Sequence, residues 1–348
     1  METTREIPFV HMSGSPKERG VAHGTAVASR IADNIAFYKR LLKLDEGVRV
    51  AQSNKFASIV ESFNPALKEE MDGIAEGAKV DPTDIYMLNA RTELLSMSGV
   101  VQSECATFFF GKSGLLFENW DWSEPSKDMT VLLSIELQNG NKILTFTEAG
   151  MVGKVGMSSA GFGVAFNYLY PTGVLDGVPI HALLRTLLEA DSFKDAVELL
   201  SKSQYKGTSG NILLANAEGQ AIDFELSGSS ISSIPMTGNS IAHTNHYLGG
   251  TVNDPEAGMG FLNNSYDRYA RAETILKETT QYGVAEAKKI LTDRATGNGM
   301  LCRDFIPEEP GHTPTGTIAS MVMDLPNKTL HITLDPQETG LEFVTYTL

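Results

Sequence analysis

The spacing of the apolar residues changes at Cys105. In the first hundred residues they recur at three- and four-residue intervals, as in "GVAHGTAVASRIADNIAFYKRLLK" and "DPTDIYMLNARTELLSM", and this period predicts helices. From Cys105 onward the runs "CATFFF" and "LLFENWDW" predict strands, and "NG" at residues 139–140 marks a hairpin. A chain that changes from helices to strands at one point favours separate helical and sheet layers.

Helices return twice within the part that is rich in strands. "PIHALLRTLLEA" and "SFKDAVELLSK" predict one pair, the second helix being capped by Asp191 or Ser192. "SYDRYARAETILKE" and "GVAEAKKILT" predict another pair before a last hairpin, "IASMVMDLPNKTLHITLD". Neither a fixed-period repeat nor a low-complexity linker divides the chain. The sequence therefore predicts an α+β fold in which helices cover antiparallel sheets.

Charge and cysteine content narrow the class of function. The chain has 43 acidic and 28 basic residues and a net charge of -15, which would repel nucleic acid and anionic membranes, so a small molecule is the expected partner. Two cysteines in 348 residues make no disulfide framework, and no apolar signal core opens the sequence, which favours the cytoplasm. No apolar run reaches the ~20 residues that a membrane span needs.

The position of Cys105 limits how its thiol could be activated. A papain-like cysteine lies at a helix N-terminus, whereas Cys105 begins a stretch that is rich in strands, where no helix dipole lowers the thiol pKa. A cysteine can also be activated as the first residue of a chain, with its own α-amine as the base. This second arrangement requires a cut between Glu104 and Cys105. The plain alternative is a small buried side chain at a strand edge.

Several short motifs lie along the chain in order: "ECATF", "ENWDW", "HTNHYL", "SYDRYAR", "LCRD" and "TIASMVMD". Their order and approximate spacing resemble the acyl-coenzyme A:6-aminopenicillanic acid acyltransferase family, and the resemblance spans most of the chain. It implies a four-layer αββα sandwich of the N-terminal-nucleophile hydrolase type. It also implies an enzyme that hydrolyses linear amides or transfers acyl groups between amines, with no metal and no other cofactor.

The resemblance also assigns residues to the site. Cys105 matches the nucleophile and the N-terminus that is created when the chain cuts itself after Glu104. Asn245 in "HTNH" matches the side-chain amide of the oxyanion hole. Asp121 in "NWDW" and Arg303 in "LCRD" match an acidic residue and an arginine around the pocket, the arginine being suited to grip a carboxylate. A strand-end turn residue and a surface arginine are the plain alternatives for this last pair.

Thr107 is a further candidate, since it would share a strand face with Cys105. Many relatives carry threonine directly after the cysteine, where this chain has Ala106, so it stays open whether Thr107 takes over that hydroxyl's role. The two histidines of "HTNH", His243 and His246, are expected to hold the Asn245 loop, with a metal site as the less favoured alternative.

The same resemblance implies how the chain is organised after the cut. Residues 1–104 would be a helical small subunit and residues 105–348 the αββα catalytic large subunit, which together form one structural domain. The two fragments are expected to stay associated, and the sequence leaves open whether a homodimer forms.

Three functions remain open at this point. The first is hydrolysis of a small N-acyl amine or N-acyl amino acid through a thioester acyl-enzyme. The second is acyl-CoA-dependent N-acyl transfer through the same thioester. The third is a small-molecule binding protein of this fold that never matures.

Overall fold

The computed structural model describes residues 6–99, 105–202, 207–249, 263–295, 297, 300–306 and 313–348, and their strands form two sheets. Among these residues, the larger sheet has eight strands in the spatial order β1 (Phe9–Met12), β4 (Thr130–Glu136), β5 (Lys142–Glu148), β6 (Val155–Ser158), β7 (Phe162–Asn167), β8 (Ser209–Asn216), β9 (Ala221–Ser227) and β10 (Ile231–Pro235). In the same described part of the chain, the smaller sheet has six, in the order β11 (Ser240–His243), β2 (Cys105–Phe110), β3 (Leu115–Ser123), β12 (Thr315–Asp324), β13 (Thr329–Leu334) and β14 (Val344–Thr347).

The helices fall into an N-terminal group and two later pairs, as the apolar periods predict. The first group is α1 (Pro16–Ala26), α2 (Ala28–Leu41), α3 (Glu46–Phe63), α4 (Pro65–Ala78), α5 (Pro82–Asn89) and α6 (Arg91–Met97). The pairs are α7 (Ile180–Leu188) with α8 (Phe193–Ser201), and α9 (Asn263–Glu278) with α10 (Val284–Leu291); one turn, α11 (Pro336–Thr339), and a 3₁₀ helix (Glu124–Met129) complete the set. Ser192 caps α8, because its hydroxyl accepts the Asp195 N–H at 3.2 Å.

The two sheets pack face to face between the two helix pairs. Helices α7 and α8 lie on the larger sheet, where they contact β6, β7 and β8. Helices α9 and α10 lie on the smaller sheet, against β11, β3 and β12, and the inner faces meet where β2 and β3 contact β7. The predicted α+β class and four-layer αββα sandwich are therefore confirmed.

Strand β2 supplies side chains to two separate cores because its residues alternate between its faces. Cys105 and Phe109 point into the main core between the sheets. Ala106, Phe108 and Phe110 point outward into a second core under α9 and α10. The three phenylalanines are fully buried, so this run fixes the strand at the centre of the molecule.

The N-terminal segment is helical except at β1, which the sequence analysis did not predict. This strand pairs in parallel with β4, with Phe9 opposite Leu132. Four residues are too few for a periodic signal, and the partner that makes them a strand lies far along the chain. The helical segment thus contributes an edge strand to the larger sheet.

Each helix in the described ranges is too short or too polar to span a lipid bilayer.

Candidate active site

Cys105 is the first described residue after the predicted cut, and both of its backbone polar groups are held by side chains. Its N–H donates to Asn245 Oδ1 at 2.8 Å, and its carbonyl oxygen accepts from Arg268 Nη1 at 2.7 Å. The thiol side chain is only 4% exposed. Glu104 lies outside the described residues. The nitrogen that a cut would convert into an α-amine is therefore fixed by a side-chain amide.

Asn245 lies in the turn after β11, and both the oxygen and the nitrogen of its side-chain amide form hydrogen bonds. Its Oδ1 accepts from Cys105 and from Arg268 Nη2 at 2.8 Å, while its Nδ2 donates to the Tyr168 carbonyl at 2.8 Å. The Asn245 backbone N–H donates to Ser265 Oγ at 2.8 Å. The structure thus brings two sequence-predicted residues, Cys105 and Asn245, into direct contact.

Arg268 joins these two residues, and the sequence analysis gave it no role. It is fully buried on α9, it bridges the Cys105 carbonyl and Asn245 Oδ1, and its Nε donates to Asn264 Oδ1 at 3.0 Å. Arg268 lies in the motif "SYDRYAR", which was the signal in the sequence that could have identified it. An arginine on a helix does not by itself indicate that its side chain faces a distant strand. Its planar guanidinium donates in two directions at once, which suits this bridge.

Three buried ionisable side chains act electrostatically on the Cys105 thiol: Lys154, Glu118 and Asp121. Burial raises the pKa of that thiol to about 12, and the Lys154 ammonium opposes this rise. Burial and the nearby Arg91 guanidinium lower the pKa of Lys154 to about 8. Burial raises the pKa of Glu118 to about 8, although its Oε2 accepts the Phe166 N–H at 3.0 Å. The sequence analysis assigned Lys154 no function, since a lone lysine in a glycine-rich run carries no motif.

Thr107 lies on the same face of β2 as Cys105, as the strand period predicts. Its Oγ1 accepts from Asn167 Nδ2 at 2.7 Å, and the same Nδ2 group donates to Asn211 Oδ1 at 2.8 Å. Strand β2 is therefore tied to the larger sheet through the Thr107 hydroxyl, two residues from Cys105.

Asp121 and Arg303 come together on the other face of β3. Asp121 lies within the strand, and the alternation that points Trp120 toward Cys105 points Asp121 away from it. Thr317 Oγ1 donates to Asp121 Oδ1 at 2.6 Å, and Arg303 Nη1 lies 3.7 Å from Oδ2. Asp121 is thus neither a strand-end residue nor a turn residue, and Arg303 is half-buried beside it.

His243 and His246 are both engaged in hydrogen bonds. His243 Nε2 lies 2.9 Å from Glu225 Oε1 and Nδ1 lies 2.7 Å from the Thr244 carbonyl. Since both partners are acceptors, both ring nitrogens donate; burial disfavours the charged ring, but Asp223 and Glu225 raise the pKa of His243. Its ring therefore has no nitrogen left to act as a base.

His246 holds the Asn245 turn instead, because its Nδ1 lies 2.8 Å from Ser265 Oγ, the group that accepts from the Asn245 backbone. Burial lowers the pKa of His246 to about 4. Among the described residues no group of three or more His, Cys, Asp or Glu side chains is arranged to hold a metal.

Comparison with known proteins gives one family. The model of the acyl-coenzyme A:6-aminopenicillanic acid acyltransferase family matches residues 110–338. A protein from Emericella nidulans, described as the 40 kDa form of acyl-coenzyme A:6-aminopenicillanic-acid-acyltransferase, is 30% identical over 325 residues, which cover 90% of this chain and 89% of that protein.

Two solved structures are also similar. A variant of conjugated bile acid hydrolase from Clostridium perfringens has a TM-score of 0.45 and 12% identity, covering 70% of this chain and 97% of that chain. Penicillin V acylase from Agrobacterium tumefaciens has a TM-score of 0.44 and 14% identity, covering 67% and 83%.

Proposed function

The chain belongs to the acyl-coenzyme A:6-aminopenicillanic acid acyltransferase family and is an enzyme of the amidase and acyltransferase class; from this premise we propose that it is a self-processing cysteine amidohydrolase. In this proposal Cys105 becomes the N-terminus of the large fragment after a cut behind Glu104. The matured enzyme cleaves a linear amide bond of a small N-acyl amine or N-acyl amino acid.

One contact carries the proposal, the hydrogen bond from the Cys105 N–H to Asn245 Oδ1. A nitrogen that is to serve as a base must stay beside its own thiol after the peptide bond has broken. The amide oxygen of Asn245 can accept from that nitrogen both before and after the cut, and Arg268 holds the Cys105 carbonyl on the other side. The new chain end would therefore keep its place.

The cut begins with the Cys105 thiol. Its sulfur attacks the Glu104 carbonyl carbon, the acyl group moves from nitrogen to sulfur, and water then hydrolyses the thioester. The products are a carboxylate on Glu104 and a free α-amine on Cys105.

Turnover uses that amine as the base. The α-amine takes the thiol proton, the sulfur attacks the substrate carbonyl, and the resulting ammonium gives its proton to the leaving nitrogen. We assign the second hydrogen of Asn245 Nδ2 and a backbone N–H to the developing oxyanion, a donor pair of the kind that typically contributes about 3 to 4 kcal/mol per donor. Water then releases the acid from the thioester.

A second candidate differs only in the last step. If an amine instead of water resolves the thioester, the enzyme is an N-acyltransferase, and an acyl-CoA could supply the acyl group. The relative from Emericella nidulans is described as an acyltransferase, which favours this alternative. Release of free acid from an N-acyl amine, measured with and without an acceptor amine, separates the two.

The first test is an intact-mass spectrum of freshly purified protein. We expect two fragments, one ending at Glu104 and one starting at Cys105, whereas Cys105→Ala should give a single chain of 37.7 kDa. Cys302→Ala is the matched control, because Cys302 is also a buried free thiol, and this variant should be cut normally. A wild-type protein that stays uncut would instead favour the non-maturing binding protein.

Both cysteine thiols are free in the structure. The cytoplasmic location remains part of the proposal.

A further inference from the structure

Lys154 is a buried cation that the proposed chemistry does not yet use. It lies between the end of β5 and the start of β6, and it is 2% exposed. Its Nζ atom lies 3.4 Å from the centre of the Trp120 ring and 6.0 Å from that of Phe166. Lysine is almost never buried to this extent without an oppositely charged partner, so its position calls for an explanation.

Within the described part of the chain no carboxylate forms an ion pair with this ammonium, although Glu148 and Glu118 are near enough to favour its charged form. Among the described residues, no Asp or Glu oxygen lies within 4 Å of Lys154 Nζ and no hydrogen bond engages that nitrogen. Glu148 on β5 already binds Arg91 on α6 at 2.8 Å, and it also accepts from Tyr38 at 2.6 Å. Glu118 on β3 is largely protonated at neutral pH, because burial raises its pKa to about 8.

The other ionisable groups that act on Lys154 are Arg91 on α6, which repels it, Cys105 on β2 and His181 on α7. Burial lowers the pKa of His181 well below its ordinary range, so this ring is neutral and cannot serve as a counter-ion. The Cys105 thiol is different, because it becomes an anion during the proposed reaction. Trp120, whose ring Lys154 covers, is the direct cross-strand partner of Cys105.

We infer that Lys154 is the fixed positive charge that stabilises the Cys105 thiolate. Taken alone, a thiolate in this dry interior would be strongly disfavoured, and a cation nearby offsets part of that cost. Lys154 is largely protonated at neutral pH, and the thiol proton goes to the Cys105 α-amine in the matured enzyme. Lys154 thus acts through Cys105, and the inference rests on the proposed role of Cys105 as nucleophile.

The test measures thiol ionisation directly. In a Cys302→Ala background Cys105 is the single cysteine, and its rate of alkylation by iodoacetamide is followed by intact mass from about pH 6 to 8, where Lys154 is still largely protonated. Below the thiol pKa this rate is proportional to the fraction of thiolate, so Lys154→Met should lower the whole curve of rate against pH by at least about tenfold, the effect of one pKa unit. Lys154→Arg keeps the charge and should leave the curve near that of the unsubstituted protein.

Lys127→Met is the matched control. Lys127 is another largely buried lysine over an aromatic ring, 4.4 Å from the centre of Phe305, but it pairs with Asp335 at 2.9 Å. Its loss should not move the Cys105 curve. If Lys154→Met does not fold, Lys154→Gln removes the same charge with a polar side chain.

Two results would overturn the inference. The first is a Cys105 alkylation curve that stays unchanged in Lys154→Met and Lys154→Gln. The second is a Lys154→Arg variant whose curve matches that of Lys154→Met. The second result would mean that Lys154 must lose a proton and not merely carry a charge. Because alkylation needs neither the cut nor turnover, failure of this inference is distinct from failure of the proposed function. If the chain stays uncut but Lys154→Met changes the alkylation of Cys105 as expected, only the proposed function is contradicted.

Discussion

At the residue scale, Asn245 combines two tasks in one amide group. Its oxygen accepts from the Cys105 nitrogen and from Arg268, and its nitrogen is the proposed oxyanion donor. Removing the whole side chain would take away the acceptor of Arg268 Nη2 and the donor to the Tyr168 carbonyl, both in a buried site. An alanine variant would therefore mix structural and catalytic losses.

Asn245→Asp keeps an acceptor oxygen for the Cys105 N–H and removes the proposed oxyanion donor, but it also sets a buried carboxylate oxygen against the Tyr168 carbonyl. We expect kcat per folded, cut molecule to fall by about 100- to 1,000-fold, the usual effect of losing one oxyanion donor. The thermal midpoint should fall as well, so intact mass and circular dichroism are used to measure the folded, cut fraction to which kcat is referred. A normal kcat in folded, cut protein would remove Asn245 from the oxyanion hole.

The histidines give a second prediction at this scale. A base acts when it is deprotonated, so activity should rise with pH through the pKa of the α-amine, which is near 8 in the unperturbed group and is lowered by burial. We expect an ascending limb between about pH 6 and 8. His243→Gln and His246→Gln should each keep this limb, since His243 donates from both nitrogens and the pKa of His246 lies near 4. The kcat/KM profile of each cut variant is the measurement, and loss of the limb would identify a cysteine-histidine pair instead.

At the element scale, helices α1 and α4 pack unusually close through glycine. Gly20 and Gly24 on α1 face Gly73 and Gly77 on α4, and a Cβ added to Gly73 would lie 2.4 Å from the Lys17 carbonyl oxygen. The obstacle is backbone, which cannot rotate away as a side chain can. The apolar period of this region predicted the helices but not how near their axes would come.

Gly73→Ala should therefore lower the free energy of unfolding by about 1 to 3 kcal/mol, the usual cost of overpacking. Gly47→Ala in α3 is the matched control, because nothing lies within 4 Å of its added Cβ, and alanine is the better helix former. That variant should be as stable as the parent or more so. The measurement is urea unfolding of Gly73→Ala and Gly47→Ala, each made in the Cys105→Ala chain. Equal losses of unfolding free energy in the two variants would show that contact between α1 and α4 is not the cause.

At the scale of the whole molecule, the segment before Cys105 is joined to the rest by more than helix packing. Strand β1 pairs with β4, and two buried ion pairs cross the predicted cut: Glu70 with Arg185 at 2.7 Å and Arg91 with Glu148 at 2.8 Å. We expect the cut enzyme to elute from gel filtration as one particle that contains both fragments.

Glu70→Gln should weaken that association by about 1.5 to 3 kcal/mol, because Arg185 loses the charge-assisted bond to Glu70 across the cut and keeps only Glu189, at 2.9 Å, in its own fragment. Glu76→Gln is the control: Glu76 pairs with Lys17 on the surface at 3.0 Å within one fragment, and its loss should change nothing. The urea concentration at which the fragments separate is the quantity to compare. Fragments that separate in native buffer would contradict the assembly.

The sequence by itself determined which segments form helices and which form strands, and the order of the candidate site residues along the chain. The change from helical to strand period at Cys105, the hairpin at residues 139–140 and the capped helix pairs are local properties, because a period is set by neighbours within a few residues. The motifs likewise placed Cys105, Thr107, Asp121, Asn245 and Arg303 in order along the chain.

Only the tertiary structure decided which of these residues meet. It put Cys105 against Asn245, turned Asp121 toward Arg303 on the opposite face of β3, and made a strand of Phe9–Met12. It also brought in Arg268 and Lys154, two cations with ordinary local surroundings in sequence. Their importance comes from burial and from partners on distant strands, and both are fixed only when the two sheets close on each other.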